Sequence, residues 1–346
     1  MLLYGATGYT GRLLAQAAHD RGMRPILAGR NERPLGALAR SLGLEHRVAT
    51  LDSGLADALE GIGVVLNAAG PFTRTALPLA RACLTRRAHY LDLSGEIDMI
   101  EAVRAIGPQA AEVGVMLMTS VGFDVVPSDC LAAHVAARVP GARRLAIGVS
   151  GLDVVSRGSV HTLIDQVGQG IKVRRDGVIV TTAPGALERS FDFGGGNASS
   201  LAVSWGDVAS AFYTTGIPNI EVYCRATAAL RALLVGNRLF GPVLRTAPGK
   251  SWLAFHAAML PDGPSAEERA RHSTVIVAEA DDGAGRVARS RLRTPDAYTF
   301  TCSTALAIAE RVLGGDFEPG FQTPGRVYGA DFPLSFAGVS REDLPT

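Results

Sequence analysis

Two patterns of apolar positions alternate along the first part of this chain. Short apolar runs at 2–4 (Leu2, Leu3, Tyr4), 25–29, 64–66, 89–93 and 115–120 predict strands, with a further strand near 47–51. Between them the apolar residues fall at helical spacing. Leu13, Leu14, Ala17 and Ala18 share one face, as do Leu35, Leu38, Ala39 and Leu42. Further helices are predicted around 55–59, over 77–84 and over 97–113, the last interrupted at Gly107-Pro108. Regular alternation of strand and helix as far as Val125 predicts an α/β fold with a parallel, doubly wound sheet.

Beyond Pro140-Gly141 the pattern changes. A helix over 128–139, with Ser128 as its cap, precedes this boundary. Strands are then predicted over 144–150, 190–193 and 220–225, and a helix over 162–167. Hairpins are predicted about Asp176-Gly177 and about Asp281-Asp282-Gly283. This second part reads as an α+β domain on a mixed or antiparallel sheet with helices on one face. The boundaries are 1–139 and 140–346. A helix over 301–313 is expected to pack back toward the first domain with the segment from about 297 onward, and the Gly/Pro-rich tail after Phe317 shows no periodicity. Gly194-Gly195-Gly196 lacks a strand-and-helix frame and reads as a flexible loop, with a lid over substrate as the alternative.

The 346 residues are 47% hydrophobic and 19% charged, an ordinary globular balance. A net charge of +1 gives no electrostatic case for a nucleic-acid or membrane partner. Cys83, Cys130, Cys224 and Cys302 are scattered, and neither C-x-x-C nor H-E-x-x-H occurs, so a metal site has no support. The chain opens inside a strand, and with no leader in view a reduced, cytoplasmic protein is expected. The most apolar helical stretch, 226–244, is interrupted by Arg231, Asn237 and Arg238, so no integral membrane segment is expected.

The candidate chemistry begins at residues 1–12, MLLYGATGYTGR. Gly5, Gly8 and Gly11 stand between a strand and a helix, with Thr7, Tyr9 and Thr10 among them. This is the frame of a phosphate-binding turn, although the spacing is G-x-x-G-x-x-G rather than G-x-G-x-x-G. An ordinary tight turn is the alternative. The second strand ends in Arg30 and Asn31, where an NAD-preferring site carries an acid. An arginine there accommodates the 2′-phosphate of NADP, or else is a solvated surface residue. Asp52 ends the third strand as an adenine partner or a loop cap. Ala69, Gly70, Pro71 and Phe72 follow the fourth strand, where small residues leave room for ribose and nicotinamide.

Taken together, the motifs GATGYTGR (5–12), AGRN (28–31), NAAGPF (67–72), HYLDLSGE (89–96) and GFDVVPSD (122–129) resemble the saccharopine dehydrogenase-like oxidoreductases. Segments 156–170 and 205–223 are similar to the shorter bacterial branch of that family. The resemblance implies a Rossmann domain, NADP(H) as cofactor, and a second domain that holds substrate. The family includes saccharopine reductases acting at a C–N bond and enoyl reductases acting at a C=C bond of lipid intermediates.

Hydride delivery from a nicotinamide requires a positioned acceptor and a proton source. Candidate groups are Glu96 and Asp124 after strands five and six, and His161 and Tyr213 in the second domain, with Asp165 nearby. Each has a structural alternative: Asp124 and Glu96 as helix caps, His161 as a cap or packing residue in a Gly/Ser-rich turn, Tyr213 as a hydrogen-bonded core residue. Strand alternation puts Tyr90, Asp92 and Ser94 on one face, some as buried polar groups with structural partners. No Tyr-x-x-x-Lys pair and no G-x-S-x-G occurs. The reading is an NADP(H)-dependent oxidoreductase reducing a C=N or C=C bond of a small-molecule or lipid-like substrate, with a homodimer through the second domain as a further expectation. A non-catalytic NADP-sensing or interaction protein is the alternative. A membrane-associated lipid reductase would need an exposed apolar patch, which the sequence does not clearly display.

Overall fold

A computed structural model describes residues 1–152 and 156–345, without the side chains at 162, 163, 165, 166 and 242. Asp165 therefore lies outside the described side chains. The chain divides into two compact units. Unit 1 comprises 1–126 and 298–327, and unit 2 comprises 127–297 and 328–346. The sequence pattern put a boundary at 139/140. In the structure the helix that follows Asp124 already counts with unit 2, and the C-terminal segment contributes to both units.

Unit 1 is built on a seven-stranded parallel sheet. Its strands are β1 (Leu2–Tyr4), β2 (Ile26–Gly29), β3 (His46–Val48), β4 (Val64–Asn67), β5 (His89–Asp92), β6 (Met116–Met118) and, much later, β15 (Gly320–Gln322). Their spatial order is β15-β6-β5-β4-β1-β2-β3. The order reverses between β1 and β4, which is where open α/β sheets bind ligands beyond the strand ends. The connecting helices are α1 (Tyr9–Asp20), α2 (Glu32–Leu42), α3 (Leu55–Ala58), α4 (Phe72–Arg86), α5 (Ile97–Ala105) and α6 (Gly107–Glu112). Their periodic residues do what the spacing requires. Leu35, Ala39 and Leu42 of α2 are buried, and the helix stops at Gly43 in the left-handed region (φ 61°). Full burial of a side chain such as Leu35 contributes about 1.5–3 kcal/mol.

Unit 2 carries a nine-stranded mixed sheet, as the change of pattern beyond Pro140 predicted. Its strands are β7 (Arg144–Ser150), β8 (Ile171–Arg175), β9 (Val178–Thr182), β10 (Glu188–Asp192), β11 (Asn197–Ala202), β12 (Asn219–Arg225), β13 (Ser273–Asp281), β14 (Val287–Pro295) and β16 (Ser340–Leu344). The β7–β12 pair is parallel and the other pairs are antiparallel. Both hairpins fall where the Asp-Gly signals put them. Phe191, Tyr223, Val275 and Val277 build the core on one face. There Phe191 lies so close over Gly148 that a Cβ would meet its ring at 2.7 Å. The helices are α7 (Val126–Arg138), α8 (Arg157–Gln166), α9 (Asp207–Thr215), α10 (Ala228–Leu244), α11 (Ala247–Ala258) and α12 (Ala266–Arg271). Helices α13 (Ala297–Leu313) and α14 (Pro324–Tyr328) carry the chain into and out of its unit 1 return.

Four local expectations change. Ser128 does not cap α7; it lies inside the helix and donates to the Asp207 carboxylate at 2.8 Å. His161 lies inside α8 rather than in the turn before it, and the cap is Ser156, which accepts from the Ser159 N–H. The triple glycine is the turn of the β10–β11 hairpin, where Asp192 accepts from the N–H groups of Gly194 and Gly196 at 2.8 and 3.0 Å. The tail without periodicity contains β15 and β16, one strand for each sheet. Three residues in β15 and a charged edge strand in β16 are too short or too polar to show alternation.

Candidate functional site

The glycine turn shows three different physical requirements. Gly5 sits at φ +83°, and a Cβ there would lie 2.7 Å from the backbone nitrogen of Ala69. That contact sets the β1 turn directly against the turn after β4. A Cβ on Gly11 would lie 2.2 Å from the Gly5 carbonyl oxygen, so this glycine lets α1 close onto its own turn. Gly8 differs: its nearest contact would be 3.4 Å away, at the Gly5 oxygen. It is exposed and forms the N-cap of α1, where no side chain caps the helix and no acid occupies the first turn. The open amide groups and positive dipole end of α1 therefore face a space that suits an anion. Thr7 lends its carbonyl to the Arg12 guanidinium at 2.7 Å, and Tyr9 packs edge-on against Tyr298 with ring centroids 5.2 Å apart. Thr10 lies half-buried in the first turn of α1.

Arg30 and Asn31 stand exposed directly after β2, and the Asn31 side chain makes no cap hydrogen bond to α2. Asp52 is exposed in the loop beyond β3. The charges of Arg30 and Asp52 both act on the Tyr4 phenol. Burial raises its pKa, with the Arg30 charge pulling it down and the Asp52 charge pushing it up. Arg30 and Asp52 therefore share the corner formed by the ends of β1, β2 and β3.

A buried polar network holds the neighbouring turn. Asn67 donates to Thr75 and to the Tyr90 hydroxyl, both at 3.1 Å, and its carbonyl accepts from the Ala69 N–H at 3.0 Å. Thr75 in turn donates to the Ala69 carbonyl at 2.6 Å. Gly70-Pro71 is a cis peptide, and Pro71 and Phe72 open α4. The Tyr90 hydroxyl donates to Asp92 at 2.8 Å, and Asp92 also accepts from the Ser94 and Ser120 N–H groups, each at 2.9 Å. Burial nevertheless pushes the Asp92 carboxyl up to about 6. Asp92 and Tyr90 are thus the buried, structurally partnered polar groups that strand alternation required.

Asp124 is different. Its carboxyl makes no hydrogen bond or ion pair among the described residues, so it does not cap α7. Burial alone pushes it up to about 6 although part of its surface stays open. It lies over Gly95, where a Cβ would come within 2.9 Å of a carboxyl oxygen. The turn that carries it is fixed by α13: Thr301 accepts from the Phe123 N–H at 3.0 Å, and Thr304 donates to the Val121 carbonyl at 2.9 Å. Glu96 is buried beside Gly95 as the N-cap of α5, without a side-chain cap bond. Unit 1 thus brings the Asp124 carboxyl up against the Gly95 turn next to Glu96. His161 and Tyr213 stand on different helices of unit 2, α8 and α9. The Tyr213 ring packs against Phe212 and faces the buried Arg174 guanidinium at 5.8 Å. The sequence placed Asn67 in the NAAGPF motif at the end of an apolar strand without giving it a role, and Thr75, inside α4, carried no local signal. Sequence reasoning missed Tyr298 and Thr301, far away in sequence and without any local signal.

The strand order and the open glycine turn are those of a dinucleotide-binding domain. Residues 1–118 match the family model of the saccharopine dehydrogenase NADP binding domain. The chain is 37% identical over 141 residues to a trans-acting enoyl reductase of Mycobacterium tuberculosis, covering 37% of this chain and 33% of that protein. It is 35% identical over 144 residues to a trans-acting enoyl reductase of Mycobacterium ulcerans, covering 39% and 34%. The match thus spans about one third of the length of these relatives. The fold extends further. Saccharopine dehydrogenase (L-Glu forming) of Saccharomyces cerevisiae superposes over 99% of both chains with a TM-score of 0.66 at 12% identity.

Proposed function

We propose that the protein is an NADP(H)-dependent oxidoreductase that reduces a C=N or C=C bond of a small or lipid-like substrate. The observation that carries this reading is the exposed, uncapped Gly8 end of α1 beside the Ala69-Gly70 turn, with Arg30 standing at the end of β2. The α1 amides and Gly8 would hold the pyrophosphate, and Arg30 with Asn31 the 2′-phosphate. Ala69, Gly70, Pro71 and Phe72 would line the ribose and nicotinamide end, with Asp52 toward the adenosine end. The cofactor supplies hydride when bound. This chain's part is to orient it and to supply a proton, for which the unpartnered Asp124 carboxyl is suited: a pKa of about 6 keeps a useful fraction protonated near neutrality. The enoyl reductase names of the relatives favour a C=C acceptor.

The test is a fluorescence titration with NADPH and with NADH. The intact protein is expected to prefer NADPH. Arg30→Ala should weaken NADPH about ten-fold or more, the loss of one charge-assisted hydrogen bond or two, and leave NADH almost unchanged. Equal loss for both nucleotides would remove the 2′-phosphate assignment. Turnover of enoyl and imine acceptors then separates the two bond types, and a loss of turnover in His161→Ala but not in Asp124→Asn would move the proton source to unit 2.

A further inference from the structure

Helices α10 and α11 of unit 2 present an apolar surface that the fold does not cover. Nine of the fifteen large apolar side chains exposed among the described residues lie between 233 and 260. Leu239, Phe240, Val243, Trp252, Phe255 and Met259 each keep between 57% and 67% of their surface open. The sequence pattern did not clearly display this patch. The reason is geometric. On α10, Leu234 and Gly241 face inward and Leu230, Asn237 and Leu244 are half-buried beside them. Val235, Leu239 and Val243 project on the far side, so the helix is apolar on two faces.

Between those faces runs a stripe of cations. Arg231, Arg238 and Arg245 are spaced by seven residues, which places them one above another on a helix. No aspartate or glutamate occurs between Glu221 and Asp262, a stretch that also carries Arg225 and Lys250. Trp252 packs on His256 with ring centroids 4.4 Å apart, at the outer surface of α11. Among the described residues no helix is long and apolar enough to cross a membrane.

We propose that the α10–α11 pair is a membrane-surface docking element that lies flat on a bilayer rich in anionic phospholipid. The exposed apolar arc enters the acyl boundary and Arg238 and Arg245 meet the headgroup phosphates, while Arg231 is held by Glu188 at 3.1 Å. Exposed Trp and Phe beside the charges of a basic edge, Arg238 and Arg245, unpaired among the described residues, are the composition that binds in this plane. A second copy of the chain is a poorer occupant, because self-apposition would bring two basic stripes together. The proposal stands independently of the reductase reading.

The experiment is flotation of the whole protein with vesicles of phosphatidylcholine alone and of phosphatidylcholine mixed with phosphatidylglycerol, with tryptophan emission recorded in parallel. Binding is expected to the anionic vesicles only, with a blue shift that Trp252→Phe abolishes. The triple variant Phe240→Ser, Phe255→Ser, Met259→Ser should weaken binding by at least about ten-fold, and so should Arg238→Glu with Arg245→Glu. These positions are exposed, so the melting temperature should hold. Absence of binding to anionic vesicles overturns the proposal, as does binding that the triple variant leaves unchanged. A concentration-dependent dimer dissolved by the triple variant, without vesicle binding, would assign the surface to a second copy. Capture of an acidic protein in place of vesicles would assign it to a protein partner, and either result overturns the membrane assignment.

Discussion

Gly11→Ala is expected to disrupt the nucleotide-binding turn, whereas Gly8→Ala leaves the fold standing and weakens NADPH binding. The added methyl at position 11 would lie 2.2 Å from the Gly5 carbonyl oxygen and 2.9 Å from Ala6 backbone atoms. These are backbone neighbours, so the clash is relieved only by moving α1 away from β1. Overpacking of this kind costs about 1–3 kcal/mol, and more when a whole helix must shift. Gly5→Ala should behave similarly, since it combines a clash at Ala69 with a left-handed φ of +83°. At Gly8 the methyl meets only the Gly5 oxygen at 3.4 Å, and φ is −69°. Its cost to the helix cap is about 1 kcal/mol or less. The methyl would instead occupy the space through which the α1 amides reach a phosphate, so NADPH affinity should fall about ten-fold or more. Thermal melts with and without NADPH check both halves. Gly11→Ala should lower the melting temperature of the apo protein by several degrees, and Gly8→Ala should mainly remove the shift caused by the nucleotide. Equal melting behaviour of the two variants would undo this division of roles.

Asp124→Asn should stabilise the protein at neutral pH and at the same time remove turnover. Burial raises the folded-state pKa of this carboxyl to about 6, above the ordinary value of 3.8. The folded state therefore favours the protonated form. Its contribution to stability is fully present below the unfolded pKa near 4 and is lost as pH rises through about 6. At pH 7–8 the ionised carboxyl costs about 1–3 kcal/mol, and a neutral amide avoids that cost. Denaturant midpoints should thus favour Asp124→Asn above pH 6 and converge with the parent near pH 4. Asp92→Asn provides the contrast. Asp92 is also raised to about 6, but it holds three donors, so its replacement should destabilise by about 2–3 kcal/mol. For catalysis, loss of a positioned acid lowers turnover about 100-fold or more, with NADPH affinity unchanged. Gly95→Ala, which displaces the Asp124 carboxyl without removing it, should lower turnover by less. Full turnover in Asp124→Asn would assign the proton to another group.

The first six strands of unit 1 and their helices were legible because each is a local pattern. Leu35, Ala39 and Leu42 declare a buried helix face wherever the chain goes next, and a glycine turn between strand and helix declares its own geometry. The same holds for the Asp-Gly hairpins of unit 2. The sequence by itself therefore determined the parallel sheet, the mixed second sheet, the glycine turn between β1 and α1 and the exposed arginine after β2. Tertiary structure decided what depends on distant partners. Gly8 parts company with Gly5 and Gly11 only because of what lies around each. Asp92 ends β5 and Asp124 follows β6, yet one is held by Tyr90, Ser94 and Ser120 while the other makes no bond among the described residues. Thr301 reaches the Phe123 amide across 178 residues, and β15 joins β6 from the tail. The outer face of α10 was likewise unreadable, because an apolar stripe looks the same whether the fold covers it or leaves it to the surroundings. Local propensity and periodicity act within a turn or two of chain, whereas burial, desolvation and partnership are set by the neighbours that folding brings in.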